Sequence, residues 1–266
     1  MSQLRTLSKH MNSMLNLVGI YPTKAYYFMK GLIYFIQDYG ELRKQQKFST
    51  NSIQFGRLYP CLEDRWQTSG TAGGHYFYQD LLVASKIFQM NPKKHVDIGS
   101  RVDGFVAHVA SFREIEVLDI RPQINSVPNV IFKRVDLMDS HFDMVDYCDS
   151  ISSLHAIEHF GLGRYGDRVD FEGHLKGLEN IYRLLERGGK FYFSVPIGNL
   201  RIEFNAQRVF SIKYLLQLFD GKYTIVSFSY VNDEGFLIAN AVLDPDNVET
   251  NFSCNFGCGI FELTKI

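Results

Sequence analysis

His95-Val96-Asp97-Ile98-Gly99-Ser100-Arg101-Val102-Asp103-Gly104 decides how the rest of the chain is read. An apolar run ending in Asp97 and then Gly99 predicts a buried strand followed by a tight turn, because glycine alone turns there at no steric cost. A helix over Gly104 to Ser111 follows. A second apolar run, Val117-Leu118-Asp119-Ile120, then closes on an acid. Strand, glycine turn, helix and strand ending in a carboxylate is how a doubly wound sheet holds a nucleoside, with the acid about 20 residues beyond the turn to accept from the ribose. Asp119 sits at that spacing. A helix cap or an exposed turn acid is the other reading of Asp119.

Outward from this unit the pattern alternates. Tyr76 to Gln89 predicts a helix with Leu81, Leu82, Ala84, Ile87 and Phe88 inward, stopped by Asn91-Pro92. Strands are expected at His95 to Ile98, Glu116 to Ile120, Val130 to Arg134, Asp146 to Ser152, Lys190 to Val195, Thr224 to Val231 and Gly259 to Leu263. Helices are expected at Gly173 to Leu185 and Ser211 to Phe219. Strands separated by helices make a mostly parallel sheet covered on both faces. The last two strands, with no helix read between them, predict an antiparallel edge.

The chain has 266 residues, 45% hydrophobic and 14% aromatic, enough for one large core with an elaborated cap. With 28 Lys+Arg against 29 Asp+Glu the net charge is −1, so no global field favours nucleic acid or an anionic membrane. Residues 1–60 are expected to form a helical cap on a core of residues 61–266. Leu15, Leu17, Tyr26, Tyr27, Phe28, Ile33 and Phe35 supply its apolar surface, whether for packing, for a homodimer contact or for a membrane surface. The segment Ala25 to Ile36 is too short to span a bilayer. Cys61, Cys148, Cys254 and Cys258 lack the spacing of a disulfide framework, and no signal-like segment is read, so a cytoplasmic protein with free thiols is expected. No second close pair completes a zinc site with Cys254 and Cys258, and no metal is expected.

From Tyr76 onward the chain resembles the class I S-adenosylmethionine-dependent methyltransferases. The resemblance rests on Asp97-Ile98-Gly99, Asp119, Asp136-Leu137, Asp149 through Ser153-Leu154 to Glu158-His159, and Gly188-Gly189 before Lys190 to Val195, in that order. More narrowly, His159-Phe160-Gly161-Leu162-Gly163-Arg164-Tyr165-Gly166-Asp167 looks like the signature of a methyltransferase-like family known as a domain of unknown function. The resemblance implies a Rossmann-like α/β fold with a seven-stranded sheet and an antiparallel C-terminal pair, and S-adenosylmethionine as cofactor. It places Asp97, Gly99, Ser100, Arg101, Gly104, Asp119, Ile120, Asp136, Leu137 and Ser153 around that cofactor. Asp136 would accept from the adenine amino group, or stand as a solvated loop acid. Arg101 occupies the second glycine position of the dinucleotide pattern, where a bulky side chain obstructs a pyrophosphate, and it would instead face the methionine carboxylate.

A sulfonium methyl is already activated, so the protein need only align an acceptor and remove its proton. His155, Glu158 and His159 follow the fourth strand, and if that segment is helical they share a face. Either histidine is then a candidate base, with Glu158 orienting it. The same residues can instead shape the cofactor pocket. Arg164, Tyr165 and Asp167 lie on a glycine-rich loop suited to a small-molecule acceptor, or Arg164 and Asp167 pair internally. Gly73 to Asp80 reads as a lid carrying Tyr76 and Tyr78, or as core aromatics, and Asn205 and Arg208 as further acceptor contacts.

The expected function is methyl transfer to a small polar metabolite, favoured as a sugar or an activated precursor of a surface polysaccharide. A noncatalytic cofactor-binding or assembly subunit and an NAD-dependent oxidoreductase are the alternatives. Fold alone does not separate them.

Overall fold

The computed structural model describes residues 19, 21–51, 53–70 and 72–266. Leu15 and Leu17 lie outside them. The chain divides into two compact units between Thr71 and Ala72, rather than at residue 60.

In the first unit, helix α1 runs from Pro22 to Gln46, with proline in its first turn and Arg43 and Lys44 in its last, where they favour the helix dipole. Gly31 is its buried residue: a Cβ there would lie 2.0 Å from the Leu62 carbonyl oxygen, so the returning chain needs a glycine at that crossing. Trp66 packs against Tyr27 and Tyr34, at centroid distances of 5.4 and 5.9 Å. Tyr26, Phe28 and Ile33 are exposed. No described helix is long and apolar enough to cross a membrane.

The second unit is a mixed α/β structure. Five parallel strands, β1 (His95–Ile98), β2 (Ile115–Asp119), β3 (Val130–Arg134), β4 (Cys148–Leu154) and β5 (Leu185–Ile197), lie in the order β3-β2-β1-β4-β5. The sheet continues through β10 (Gly257–Lys265) to β8 (Tyr223–Val231) and β9 (Leu237–Ile238), all antiparallel to their neighbours. This is the doubly wound sheet expected. The seven expected strands gain the two-residue β9, and β9 and a short helix separate β8 from β10. Strand β10 lies between β5 and β8, so the expected antiparallel pair closes this side of the sheet, with only the short β9 outside it. A separate hairpin, β6 (Arg201–Glu203) with β7 (Gln207–Val209), was not read from sequence.

Period-two alternation divides the core between the two sheet faces. Phe191, Phe193 and Val195 of β5 and Phe261 and Leu263 of β10 pack toward one face with residues of α4 (Gly173–Leu184) and α5 (Ile212–Phe219). Tyr192 and Ile260 turn to the other, against α2 (Gly74–Met90) and α3 (Ala107–Ala110). Helix α2 ends at Asn91 in the left-handed region, followed by Pro92, the stop the sequence predicts. Ser211 caps α5 by accepting from the Tyr214 amide, and Asp244 caps α6 (Pro245–Glu249) in the same way.

Phe193 is fully buried at the centre of the α4/α5 face and touches the rings of Phe191, Phe219 and Phe261. Phe193→Ala is expected to lower stability by about 3–5 kcal/mol, measured by urea unfolding followed by circular dichroism.

Candidate active site

The C-terminal ends of β1, β2 and β4 open into a cavity of about 560 Å³. That is where a doubly wound sheet binds ligands. Gly99 turns the chain there with φ +72°, and its amide donates to the Leu118 carbonyl at 3.0 Å. A Cβ on Gly99 would lie 3.1 Å from the Ala156 Cβ, and one on Gly104 would lie 3.1 Å from an Asp80 carboxylate oxygen. Gly104 is also a kink, at φ −125° and ψ −114°, inside the π-helical turn Val102–Val106 that leads into α3.

Asp97 holds this turn from below. Fully buried, it accepts from the Ser100 amide (3.0 Å), the Ser100 hydroxyl (2.8 Å) and the Ser152 hydroxyl of β4 (2.6 Å). Burial pushes its carboxyl up to about 7, against the downward pull of those hydrogen bonds. Asp97 is thus beneath the cavity and not on its wall. Ser153 is likewise fully buried off the wall.

Gly99, Ser100, Arg101, Gly104, Asp119, Ile120, Asp136 and Leu137 all line the cavity. Arg101 is exposed at the mouth and pairs with Asp103 at 2.7 Å. Asp119 ends β2 with both oxygens engaged by Arg121, whose backbone amide donates at 2.8 Å and whose Nε donates at 3.0 Å. The Arg121 guanidinium also donates to the Gly99 carbonyl at 3.1 Å and lies over the Tyr165 ring, 4.6 Å from its centroid. Sequence reasoning missed Arg121, although it lies only two residues beyond the acid it holds. Asp136 accepts from the Met138 amide at 2.8 Å, which fixes the loop beneath Leu137.

His155 and His159 face the cavity, and Glu158 is buried behind them. The segment is a single 3₁₀ turn, Ile157–His159, entered from His155 at φ +51°, not the regular helix that pairing assumed. His155 Nδ1 and Glu158 Oε1 are 2.7 Å apart. Burial opposes charge on His155, but the Cys258 thiol and the Glu158 carboxylate beside it hold its pKa well above the usual histidine range. His159 differs: its Nδ1 donates to the Ala206 carbonyl at 2.8 Å, so Nε2 carries the lone pair, and burial lowers its pKa.

The loop after His159 is held by its acid. Asp167 accepts from the amides of Gly161 (2.8 Å), Gly163 (3.2 Å) and Tyr165 (3.1 Å). The alternative, an internal pair between Arg164 and Asp167, is not formed among the described residues: Arg164 donates to the Ala206 carbonyl at 2.9 Å. Tyr165 lies between the guanidinium groups of Arg121 and Arg164 and edge-on to His159. The expected lid is the first half of α2, where Tyr76, Gln79 and Asp80, three and four residues apart, face the cavity and Tyr78 does not. Gln79 and Asp80 were not singled out from sequence. Burial raises the Asp80 carboxyl to about 6.

Asn205, at φ +63°, lies at the β6–β7 turn and off the cavity wall. Arg208, 3% exposed, points away from the cavity. Its guanidinium donates to the carbonyls of Phe160 (2.5 Å) and Phe171 (3.0 Å), with longer contacts to those of Glu158 and Asp170. It braces two loops.

The fold and its cavity define a doubly wound α/β protein with an open site at the strand ends. Residues 103–254, more than half of the chain, match the family described as Caenorhabditis protein of unknown function, DUF268, and the chain belongs to that family. No curated protein matches it. Among solved structures it is similar to 1,6-didemethyltoxoflavin-N1-methyltransferase of Burkholderia thailandensis, bound to 1,6-didemethyltoxoflavin and S-adenosylhomocysteine. That similarity has a TM-score of 0.48 and 14% identity over 70% of this chain and 78% of the other. It is also similar to the N-methyltransferase NodS of Bradyrhizobium japonicum WM9 in complex with S-adenosyl-l-homocysteine, with a TM-score of 0.48 and 10% identity over 72% and 88% of the two chains.

Arg208→Met keeps the apolar stem and leaves the buried carbonyls without their donor. It is expected to cost about 1–3 kcal/mol in urea unfolding, as a brace should.

Proposed function

We propose that this protein is a methyltransferase that uses S-adenosylmethionine to methylate a small, polar, hydroxyl-bearing acceptor. The observation that carries the reading is the Gly99 turn set against Asp119 on one cavity wall, with Arg101 where a dinucleotide site needs a second glycine. The missing Cβ at Gly99 and Gly104 leaves room for a close ligand, and Asp119 and Asp136 offer acceptors to ribose and adenine. An exposed arginine at the pyrophosphate position disfavours NAD.

When bound, the cofactor supplies a sulfonium methyl group that an acceptor oxygen can displace. Asp119 must share its carboxylate between Arg121 and a ribose, so Arg121 shifts toward Tyr165, over which it already lies. His159 is the proton acceptor in this reading: its Nδ1 is committed to Ala206, Nε2 is free to accept, and its lowered pKa keeps it neutral near pH 7. Glu158 orients His155, and Tyr76 closes the wall above them. Arg164 and Arg121, flanking Tyr165 at the mouth, favour an anionic acceptor such as a sugar phosphate or nucleotide sugar.

Titration calorimetry should give saturable binding of S-adenosylhomocysteine, weakened about tenfold or more by Asp119→Asn, which is about 1.4 kcal/mol. Tight NAD binding with no response to S-adenosylhomocysteine would overturn the assignment. Transfer of labelled methyl to a panel of sugar nucleotides tests the acceptor class, and label appearing only in protein or RNA would reject it.

His159→Asn is expected to lower kcat by about 10²–10⁴-fold. Because burial depresses the His159 pKa, activity should be level above the ordinary histidine range and fall only as pH drops below it. A rate that rises steeply above pH 8 would remove His159 from the base role.

A further inference from the structure

His75 at the start of α2, His155 after β4 and Cys258 on β10 are far apart in sequence but converge beside the cavity. Their donor atoms all lie within 4.8 Å of one another. The two imidazoles stack at 5.2 Å and 6°, and Cys258 has no exposed surface. His155 is nine-tenths buried, and with Nδ1 on Glu158 its Nε2 has no hydrogen-bond partner. An orphaned buried nitrogen is costly unless something binds it.

We propose that His75, His155 and Cys258 bind a zinc-class divalent metal ion. Thiolate plus two imidazoles is a borderline-soft set that suits zinc and disfavours magnesium or calcium. The surroundings are those of a metal site: Glu158 backs His155 through Nδ1, and His75 makes a backbone hydrogen bond with Phe256, so each ring is oriented by a partner outside the cluster. Bond lengths of about 2.0 Å to nitrogen and 2.3 Å to sulfur place tetrahedral ligands about 3.5 Å apart, so binding draws the donors together by about 1 Å and turns one imidazole out of the parallel stack, because each lone pair lies in its ring plane. The Cys258 thiol gives up its proton to solvent as the metal–sulfur bond forms. Three protein ligands leave a fourth position. The Gln79 side-chain oxygen, 3.7 Å from the Cys258 sulfur and also held by Ser194, borders it on the cavity side. Spacing along the chain pointed to Cys254 as the partner of Cys258, whereas the fold brings two distant histidines instead.

The test is metal analysis of the purified full chain and its cobalt(II)-substituted form. About one equivalent of zinc should survive dialysis, and cobalt should give a thiolate-to-metal charge-transfer band. Cys258→Ser should abolish the band, and His75→Gln should weaken zinc binding at least tenfold, with circular dichroism confirming that both variants are folded. Cys254→Ser should leave band and stoichiometry unchanged. The proposal is overturned if folded wild type binds no stoichiometric zinc or cobalt, if Cys258→Ser keeps the band, or if Cys254→Ser removes it. None of these readouts uses methyl transfer, so the metal site and the cofactor reading can fail separately.

Discussion

A single buried carboxylate organises the ligand-binding end of this sheet. Asp97 sits at the penultimate position of β1 without access to water, and its acceptor capacity is taken by two groups of the following turn and one hydroxyl of the neighbouring strand. Those bonds fix where β1 stops, force the left-handed conformation onto Gly99 and tie the turn to β4. The β4 end is where His155 leaves the sheet. The Gly99 wall of the cavity and the histidine cluster are therefore referenced to one side chain. Its cost is desolvation, visible in a carboxyl pushed toward neutrality.

Around that fixed point, ionised side chains serve mainly as braces for irregular backbone. Asp167 gathers amides, and Arg208 gathers carbonyls from the loops on either side of it. Buried loop backbone needs partners of both kinds, and charged groups bond it more strongly than neutral ones do. The result is a rigid scaffold for Tyr165 and the two arginines that flank it at the cavity mouth.

This explains what could and could not be read from the sequence. Apolar runs located the strands from His95 to Leu263 and the periodic segments between them the helices, because a sheet buried on both faces needs apolar side chains at successive positions. That Gly99 and Asp119 meet on one cavity wall was legible because they hold fixed places relative to two consecutive strands. Arg208 and Asn205 were read as ligand contacts because a sequence shows a charge or an amide without showing what it bonds. The convergence of His75, His155 and Cys258 is a product of tertiary folding across three elements and leaves no local spacing to detect. The antiparallel C-terminal pair was legible as two apolar runs; the order within it was not, and pairing on both sides sets β10 between β5 and β8.

That insertion carries a consequence for biosynthesis. Until residues 257–265 emerge from the ribosome, β5 and β8 each present an open row of amides and carbonyls to solvent or to other nascent chains. The parallel half of the sheet can assemble during translation, but the gap beside β5 is sealed only by a segment made some sixty residues later. Closure of this sheet is thus timed by β10, and a helper that shields naked strand edges would act most usefully in that interval.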